Sequence, residues 1–324
     1  MMPDLEAELD RAVAVIRGAG SLSLACHITP DGDALGSLLA MHHLCRANGK
    51  PSVASWPRPF IVAPHYTYLP GLDRCTKPDD FPARPEVMLT FDCGSLARLG
   101  ELAWPAEAAG DLIVLDHHVT NDRYGTINVI DPASAATAVV VRTLARRLGW
   151  ELTRDAAICL YSGLVTDTGR FQYDCTTPEV FSLAEELARF DLPISSMSRQ
   201  LFEEHRFDYL RLVAIALDRA QLDLGRRFVA TWITAEDFRR FGVEFEETEG
   251  LIDLVRRTSE ATVSCVLKET DDGTRVSLRA VDDTDVGAIA VQFGGGGHRA
   301  AAGFTDDRPI PEVLEAIRAL LPER

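Results

Sequence analysis

The sequence predicts an α/β protein with an N-terminal doubly wound domain on a parallel sheet, a helical connector and a smaller C-terminal α/β domain. Three observations predict it. Short apolar runs alternate with helix-spaced apolar residues through the first half, the pattern of βαβ units. From Pro178 to Ala220 the chain reads as helix without a strand-like run. Strand segments then return, two of them joined by Asp271-Asp272-Gly273, a tight-hairpin signal. A length of 324 residues suits two domains at roughly 100–200 residues each. The expected division is a metal-binding catalytic domain over residues 1–185, a helical linker over 186–216 and a substrate-binding domain over 217–324.

Each element has a local reason. Ser21 to Cys26, Ser52 to Ser55, Val87 to Phe91 and Leu112 to Leu115 are apolar runs of strand length. Ala34 to Ala47 sets Leu35, Leu38, Leu39 and Leu44 on one side of a helix, with Gly49 as its stop. Asp131 reads as an N-cap, Pro132 as a first-turn residue and Ala135 to Leu148 as a helix closed by Gly149. A further helix is expected over Asp155 to Leu164, and others over Glu179 to Phe190 and Ser195 to Ala220. In the last third, Phe228 to Ile233, Thr262 to Lys268 and Thr274 to Val281 read as strands, and Asp285 to Phe293 as a helix ending in Gly294 to Gly297.

Composition narrows the function. Lys and Arg number 33 against 49 Asp and Glu, a net charge of −16, which argues against a broad basic groove for long nucleic acid. An anionic substrate therefore needs a local source of positive charge. Seven cysteines form no C-x-x-C pair, so reduced thiols are expected rather than a disulfide framework or zinc ribbon. No run approaches the ~18 apolar residues of a membrane span. The stretch from Met1 to Asp10 is acidic where a signal peptide is basic and then apolar, so a cytoplasmic location without a membrane partner is expected.

The groups able to do chemistry follow the apolar strands. His27, Asp31 and Asp33 come after the first, Asp92 after Val87 to Phe91, and Asp116, His117 and His118 after Leu112 to Leu115. In an open parallel sheet the carboxyl ends of the strands border one crevice, so these groups converge. Singly, each has a plain alternative: the Asp-Gly-Asp is a turn and Asp92 a helix cap. Together, uncompensated carboxylates at one sheet end repel and raise one another's pKa, a conflict that divalent cations resolve. Oxygen and imidazole ligands suit Mn2+, Mg2+ or Co2+ better than structural zinc. Asp31, Asp33, Asp92 and one more Asp balance two dications, which ~3.5–4 Å apart support phosphoester hydrolysis. Asp167 could be the fourth carboxylate or part of a turn between Gly163 and Gly169, and position alone does not choose. Gly294 to Gly297 reads either as a linker or, with Arg299 to Ala302, as backbone that approaches an anion at a helix start. Arg279 on its strand is either a phosphate clamp or a surface residue.

The order His27-x-x-x-Asp31-x-Asp33, Asp92, Asp116-His117-His118 and Thr166-Asp167-Thr168-Gly169 resembles the four motifs of the DHH phosphoesterase family. Ser277-Leu278-Arg279 followed by Gly294 to Gly303 resembles its DHHA1 domain. The HITPDGDALGS form of the first motif looks most like the bacterial nanoRNase branch. The resemblance implies a manganese-dependent phosphodiesterase that degrades very short RNA to mononucleotides and also dephosphorylates 3′-phosphoadenosine 5′-phosphate, by attack of hydroxide on phosphorus. It implies that His27, Asp31 and Asp92 hold one ion and Asp33, Asp92, His117 and Asp167 the other, with Asp92 as bridge. His118 would touch the scissile phosphate and Asp116 would orient its neighbours. Arg279, Gly295, Gly296, Gly297 and His298 would grip the substrate, and the smaller domain would close over the metal domain.

Partners implied are short RNA oligonucleotides or small nucleotides rather than long duplexes, with a homodimer left open. A helical stretch that carries an acidic residue in many relatives is apolar here, from Ala138 to Val141. His42, His43, His65 and His205 match no motif and are expected on helix surfaces or loops, while Cys26 and Cys93 are expected to pack in strands. Two other readings share these residues: a linear or cyclic dinucleotide phosphodiesterase, and a catalytically silent nucleotide-binding regulator. Intact Asp92 and His118 count against the second.

Overall fold

The structure, a computed structural model, describes residues 5–323; Met1 to Asp4, the start of the acidic N-terminal stretch, and Arg324 lie outside the described residues. The chain divides into two compact units, Met1–Leu201 and Phe202–Arg324.

In the first unit, β1 (Leu22–Cys26) is flanked by β2 (Ser52–Ser55) and β3 (Val87–Phe91), followed by β4 (Asp111–Asp116) and β5 (Ile127–Ile130). All pairs are parallel and the order is β2-β1-β3-β4-β5. The chain runs outward from β1 in both directions, so the crevice of a doubly wound sheet opens beyond the carboxyl ends of β1 and β3. Cys26, Phe91 and Leu115 are in register across three strands. The residues that follow them, His27, Asp92 and Asp116, therefore stand side by side.

The helices of this unit are α1 (Leu5–Gly18), α2 (Gly32–Ala47), α3 (Ala103–Glu107), α4 (Thr137–Leu148), α5 (Arg154–Asp167), α6 (Pro178–Ala188) and α7 (Ile194–Phe202). Instead of one buried face, α2 is buried from Gly32 to Cys45. It lies between the sheet and the helices α4 and α5. That corrects the expectation for His42 and His43, which are 2% and 6% exposed. Their buried ring nitrogens meet the Ser52 hydroxyl at 3.0 Å and the Pro70 carbonyl at 2.8 Å. Two glycines set the crossing of α2 and α5. A Cβ on Gly36 would stand 2.4 Å from the Cys159 carbonyl oxygen, and one on Gly163 would stand 2.6 Å from Asp33 Oδ1.

Two helix boundaries differ from expectation. Helix α4 begins at Thr137, and Asp131 is not its cap. The Asp131 carboxylate accepts from the Ala133 N–H and the Ser134 hydroxyl in a turn of its own, the local competition typical of Asp. Helix α5 continues to Asp167, so that residue ends a helix rather than following one.

The second unit contains α8 (Phe207–Asp218), β6 (Gln221–Asp223), β7 (Phe228–Ile233), α9 (Ala235–Phe241), α10 (Leu251–Val255), β8 (Val263–Thr270), β9 (Gly273–Ala280), α11 (Val286–Gln292), β10 (Gly296–His298), β11 (Ala301–Asp306) and α12 (Ile310–Leu320). Its sheet order is β10-β11-β9-β8-β7-β6, antiparallel except for β7 with β8. Strand alternation sends Cys265, Leu267, Val276, Leu278 and Phe304 into a core with residues of α11 and α12. Val229, Ile233 and Val266 face the opposite way into a core with residues of α8 and α10.

The helix expected over Ser195 to Ala220 is two, α7 and α8, separated at residues 203–206. Ala301 and Ala302 begin a strand and not a helix. Ala302 and Phe304 alternate into the core, and Gly297, at φ +139°, leaves room where a Cβ would meet the Ala301 carbonyl oxygen at 2.5 Å.

Candidate metal centre

Four carboxylates and two imidazoles of the first unit converge at the carboxyl end of its sheet. Asp31 caps α2, its Oδ1 accepting the Ala34 N–H at 3.0 Å, while Oδ2 lies 3.7 Å from His27 Nε2. His27 Nε2 is also 3.5 Å from Asp92 Oδ2. His117 Nε2 stands 3.2 Å from Asp167 Oδ2, 3.5 Å from Asp92 Oδ1 and 3.9 Å from Asp33 Oδ2. Asp92 thus offers one oxygen to each histidine, and it belongs to both the His27-Asp31-Asp92 and the Asp33-Asp92-His117 clusters. Its backbone takes φ +53°, a left-handed conformation that costs a non-glycine residue about 1–2 kcal/mol. Such strain is characteristic of functional positions.

The outer nitrogens face backbone carbonyls. His27 Nδ1 lies 2.8 Å from the Ile28 carbonyl oxygen, and His117 Nδ1 lies 3.2 Å from that of Ser134. With Nδ1–H donated to its carbonyl, the His117 ring turns its Nε2 lone pair toward the carboxylates, as metal-ligating histidines do; His27 likewise directs Nε2 toward Asp31 and Asp92. His27 Nε2 is buried and makes no hydrogen bond.

Charge balance points the same way. Burial and Arg98 oppose a proton on His27, yet the Asp31 and Asp92 carboxylates overcome both and hold it up to about 9. Burial likewise opposes protonation of His117, but Asp167, Asp92 and Asp33 lift it to about 11. Burial together with Asp167 and Asp92 pushes Asp33 well above the usual carboxylate range. Burial raises Asp167 to about 6 against the pull of His117. Asp92 stays low, since His118, His27 and His117 outweigh its burial. A site that draws protons onto its own carboxylates and imidazoles has surplus negative charge, and these oxygen and nitrogen donors fit two divalent cations.

Sequence reasoning missed four supporting residues. Asp33 accepts the Thr137 N–H at 2.5 Å and the Ala138 N–H at 2.9 Å, so it caps α4 from another helix and meets the positive end of that helix dipole. Thr137 Oγ1 donates to Asp92 Oδ1 at 3.0 Å. Arg98 places Nη2 3.1 Å from His27 Nδ1. Asn121 donates to Asp116 Oδ2 at 2.6 Å. Asp116 Oδ1 receives the His117 N–H at 2.8 Å and faces His118 Nδ1 at 2.7 Å. Its oxygens are therefore occupied by protein donors, and it holds the His118 ring through Nδ1. None of these supports lies in a motif with a recognisable spacing.

The other five candidates lie in the second unit. Arg279, Ala301 and His298 are in register across β9, β11 and β10, so Arg279 and His298 share one sheet face across a small residue. Gly295 and Gly297 are demanded by packing, since a Cβ on Gly295 would meet the Gly303 carbonyl oxygen at 2.3 Å; Gly296 faces open space.

Residues 22–164 match the DHH family, N-terminal domain, and residues 226–323 match the DHHA1 domain. Over 306 residues the chain is 32% identical to the bifunctional oligoribonuclease and PAP phosphatase NrnA of Thermus thermophilus, covering 92% of this chain and 90% of that protein. The chain belongs to the DHH family. DHH proteins are phosphoesterases, so this chain is a hydrolase of phosphoester bonds. It is also 25% identical to the NrnA of Bacillus subtilis, over 92% of each chain. The DHH fold extends to a crystal structure of an exopolyphosphatase-related protein from Bacteroides fragilis, which has a TM-score of 0.87 at 23% identity and covers 97% of this chain and 95% of that one. RecJ of Thermus thermophilus in complex with Mn2+ shares the DHH fold at a TM-score of 0.56 and 13% identity, with 98% of this chain covering 55% of that one.

Proposed function

We propose that this DHH chain is a cytoplasmic, manganese-dependent phosphodiesterase that degrades very short RNA to mononucleotides and also removes a phosphate from 3′-phosphoadenosine 5′-phosphate. The observation that carries the reading is Asp92, whose two oxygens serve two neighbouring ligand sets. His27, Asp31 and Asp92 would hold one cation, and Asp33, Asp92, His117 and Asp167 the other. When bound, such a pair supplies an activated water and offsets the charge of phosphoryl oxygens.

The chain's own groups do the rest. Asp116 holds His118 through Nδ1. The proton-bound form of His118 is favoured, because Asp92 and Asp116 outweigh its burial. Its Nε2–H can therefore donate to a phosphoryl or leaving oxygen, which is general-acid and electrostatic assistance at the reacting group. Arg279 offers a planar fork to a substrate phosphate, with His298 and the open backbone at Gly296 beside it. A net charge of −16 favours short substrates, because long chains need many basic contacts to displace their counterions. Whole-length similarity to proteins named as oligoribonucleases and PAP phosphatases supports the same choice.

The test is a comparison of kcat/KM, with Mn2+ present, for 3′-phosphoadenosine 5′-phosphate, RNA from two to about twenty nucleotides, a linear diadenylate, a cyclic dinucleotide and pyrophosphate. Preference for the dinucleotide or the bisphosphonucleotide is expected. Equal or better hydrolysis of the longest RNA overturns the length preference, and selective hydrolysis of the cyclic dinucleotide reassigns the substrate.

A further inference from the structure

The crevice of the first unit opens beyond the carboxyl ends of β1 and β3, and the segment that follows β3 borders it. After Asp92 the chain enters a short 3-10 helix, Leu96–Leu102. Leu99 and Leu102 anchor this helix in a core with Met88 and Val114. The Arg98 carbonyl oxygen accepts the Ile28 N–H at 2.9 Å, which ties the helix to the residue after His27. The Arg98 side chain is exposed and places Nη2 3.1 Å from His27 Nδ1. Backbone and side chain together therefore hold this guanidinium beside the candidate metal centre.

Among the described residues Arg98 makes no ion pair, although the chain carries a net charge of −16. Other arginines of this unit hold carboxylates: Arg11 that of Glu8, Arg58 those of Asp79 and Glu101, Arg142 and Arg146 that of Glu186. A guanidinium is a planar fork of donors that matches phosphoryl oxygens, and only one arm of Arg98 is directed at His27. The centre gives this fork a definite side. His27 Nε2 lies 3.5 Å from Asp92 Oδ2, and His118 Nδ1 lies 3.5 Å from Asp92 Oδ1. Arg98 thus belongs to the His27 flank of Asp92, and His118 to the other. Since two dications would balance only the four carboxylates, the charge of a substrate phosphate calls for cationic donors of its own.

We propose that Arg98 binds the phosphate being hydrolysed, donating to a non-bridging oxygen on the His27 flank while His118 serves the opposite flank. The equatorial oxygens carry the charge of a phosphoryl-transfer transition state, so a donor fixed there lowers the barrier as well as holding the substrate. The inference deepens the proposed function and rests on it, but its first test needs no turnover.

The experiment measures binding to the full chain, by calorimetry with Mn2+ present, of adenosine and of 5′-AMP, the monoester left when the 3′ oxygen of a diester departs. Arg98→Ala should weaken 5′-AMP about tenfold, the loss of a charge-assisted hydrogen bond, while leaving adenosine and Mn2+ itself bound as in the wild type. On a linear diadenylate the same variant should lower kcat about 100-fold, and Arg98→Lys, which keeps the charge without the fork, should fall between the two. Arg98→Lys decides the matter if Arg98→Ala does not fold. Unchanged affinity for 5′-AMP, an equal loss for adenosine, or a wild-type kcat overturns the contact. A parallel loss of Mn2+ affinity also overturns it and makes Arg98 a positioning residue for His27. Failure of the wild type to hydrolyse the diadenylate and 3′-phosphoadenosine 5′-phosphate, alongside Arg98-dependent binding of 5′-AMP, overturns the proposed function and keeps the phosphate contact.

Discussion

Asp33 and Thr137, 104 positions apart in the chain, are joined by a 2.5 Å hydrogen bond from the Thr137 N–H to Asp33 Oδ2. One carboxylate thereby caps α4 and faces the candidate metal centre. Removing it should have opposite effects on the metal-free and metal-loaded protein. Asp33→Ala loses a helix cap of about 1 kcal/mol but also a buried charge whose pKa is pushed well up, so the melting temperature in EDTA should move by only a few degrees. With Mn2+ the variant should show no metal-induced rise in melting temperature and at least a ~100-fold lower kcat/KM. A full metal-induced rise in this variant contradicts the assignment.

The stability of the metal-free protein should fall as pH rises. His27, at about 9 in the folded chain, is raised above its ordinary ~6.5, so its contribution is complete below ~6.5 and lost on passing about 9. His117, at about 11, acts in the same direction at higher pH. Cations compete with these protons, so the gain in melting temperature on adding Mn2+ should grow from pH 6 to pH 9. Thermal melts in EDTA and in Mn2+ across that range check it; a gain independent of pH opposes it.

Asn121 supports the His118 side of the site through Asp116. Asn121→Leu leaves a buried carboxylate oxygen short of a donor, a cost of about 1–3 kcal/mol. We expect kcat to fall about tenfold with KM nearly unchanged, because His118 loses its orientation rather than the substrate its grip. Steady-state kinetics distinguish this from a rise in KM alone.

Arg279→Ala should do the reverse, raising KM about tenfold with kcat largely kept. Unchanged KM and unchanged choice among the substrates tested above would remove Arg279 from substrate binding.

The parallel sheet was legible because fully buried strands are continuous apolar runs: Val87 to Phe91 and the core of β4 lie where the sequence placed them. The four-residue β5, Ile127–Ile130, was not read as a strand. The first-unit candidates were readable because they follow strands in sequence, and the sheet order brings those strand ends together. Their supports escaped because Thr137, Asn121 and Arg98 act across the fold through single hydrogen bonds, which leave no spacing to read. His42 and His43 misled for a related reason. Their helix is enclosed on all sides, so burial there follows from the neighbours of α2 and not from its own pattern.

Anomalous diffraction from crystals grown with Mn2+, supported by elemental analysis of the same protein, tests the centre most directly. Two ions per chain are expected, about 3.5–4 Å apart, both in contact with Asp92, and both absent from Asp92→Ala. A single ion, or a pair bound away from Asp92, would contradict it.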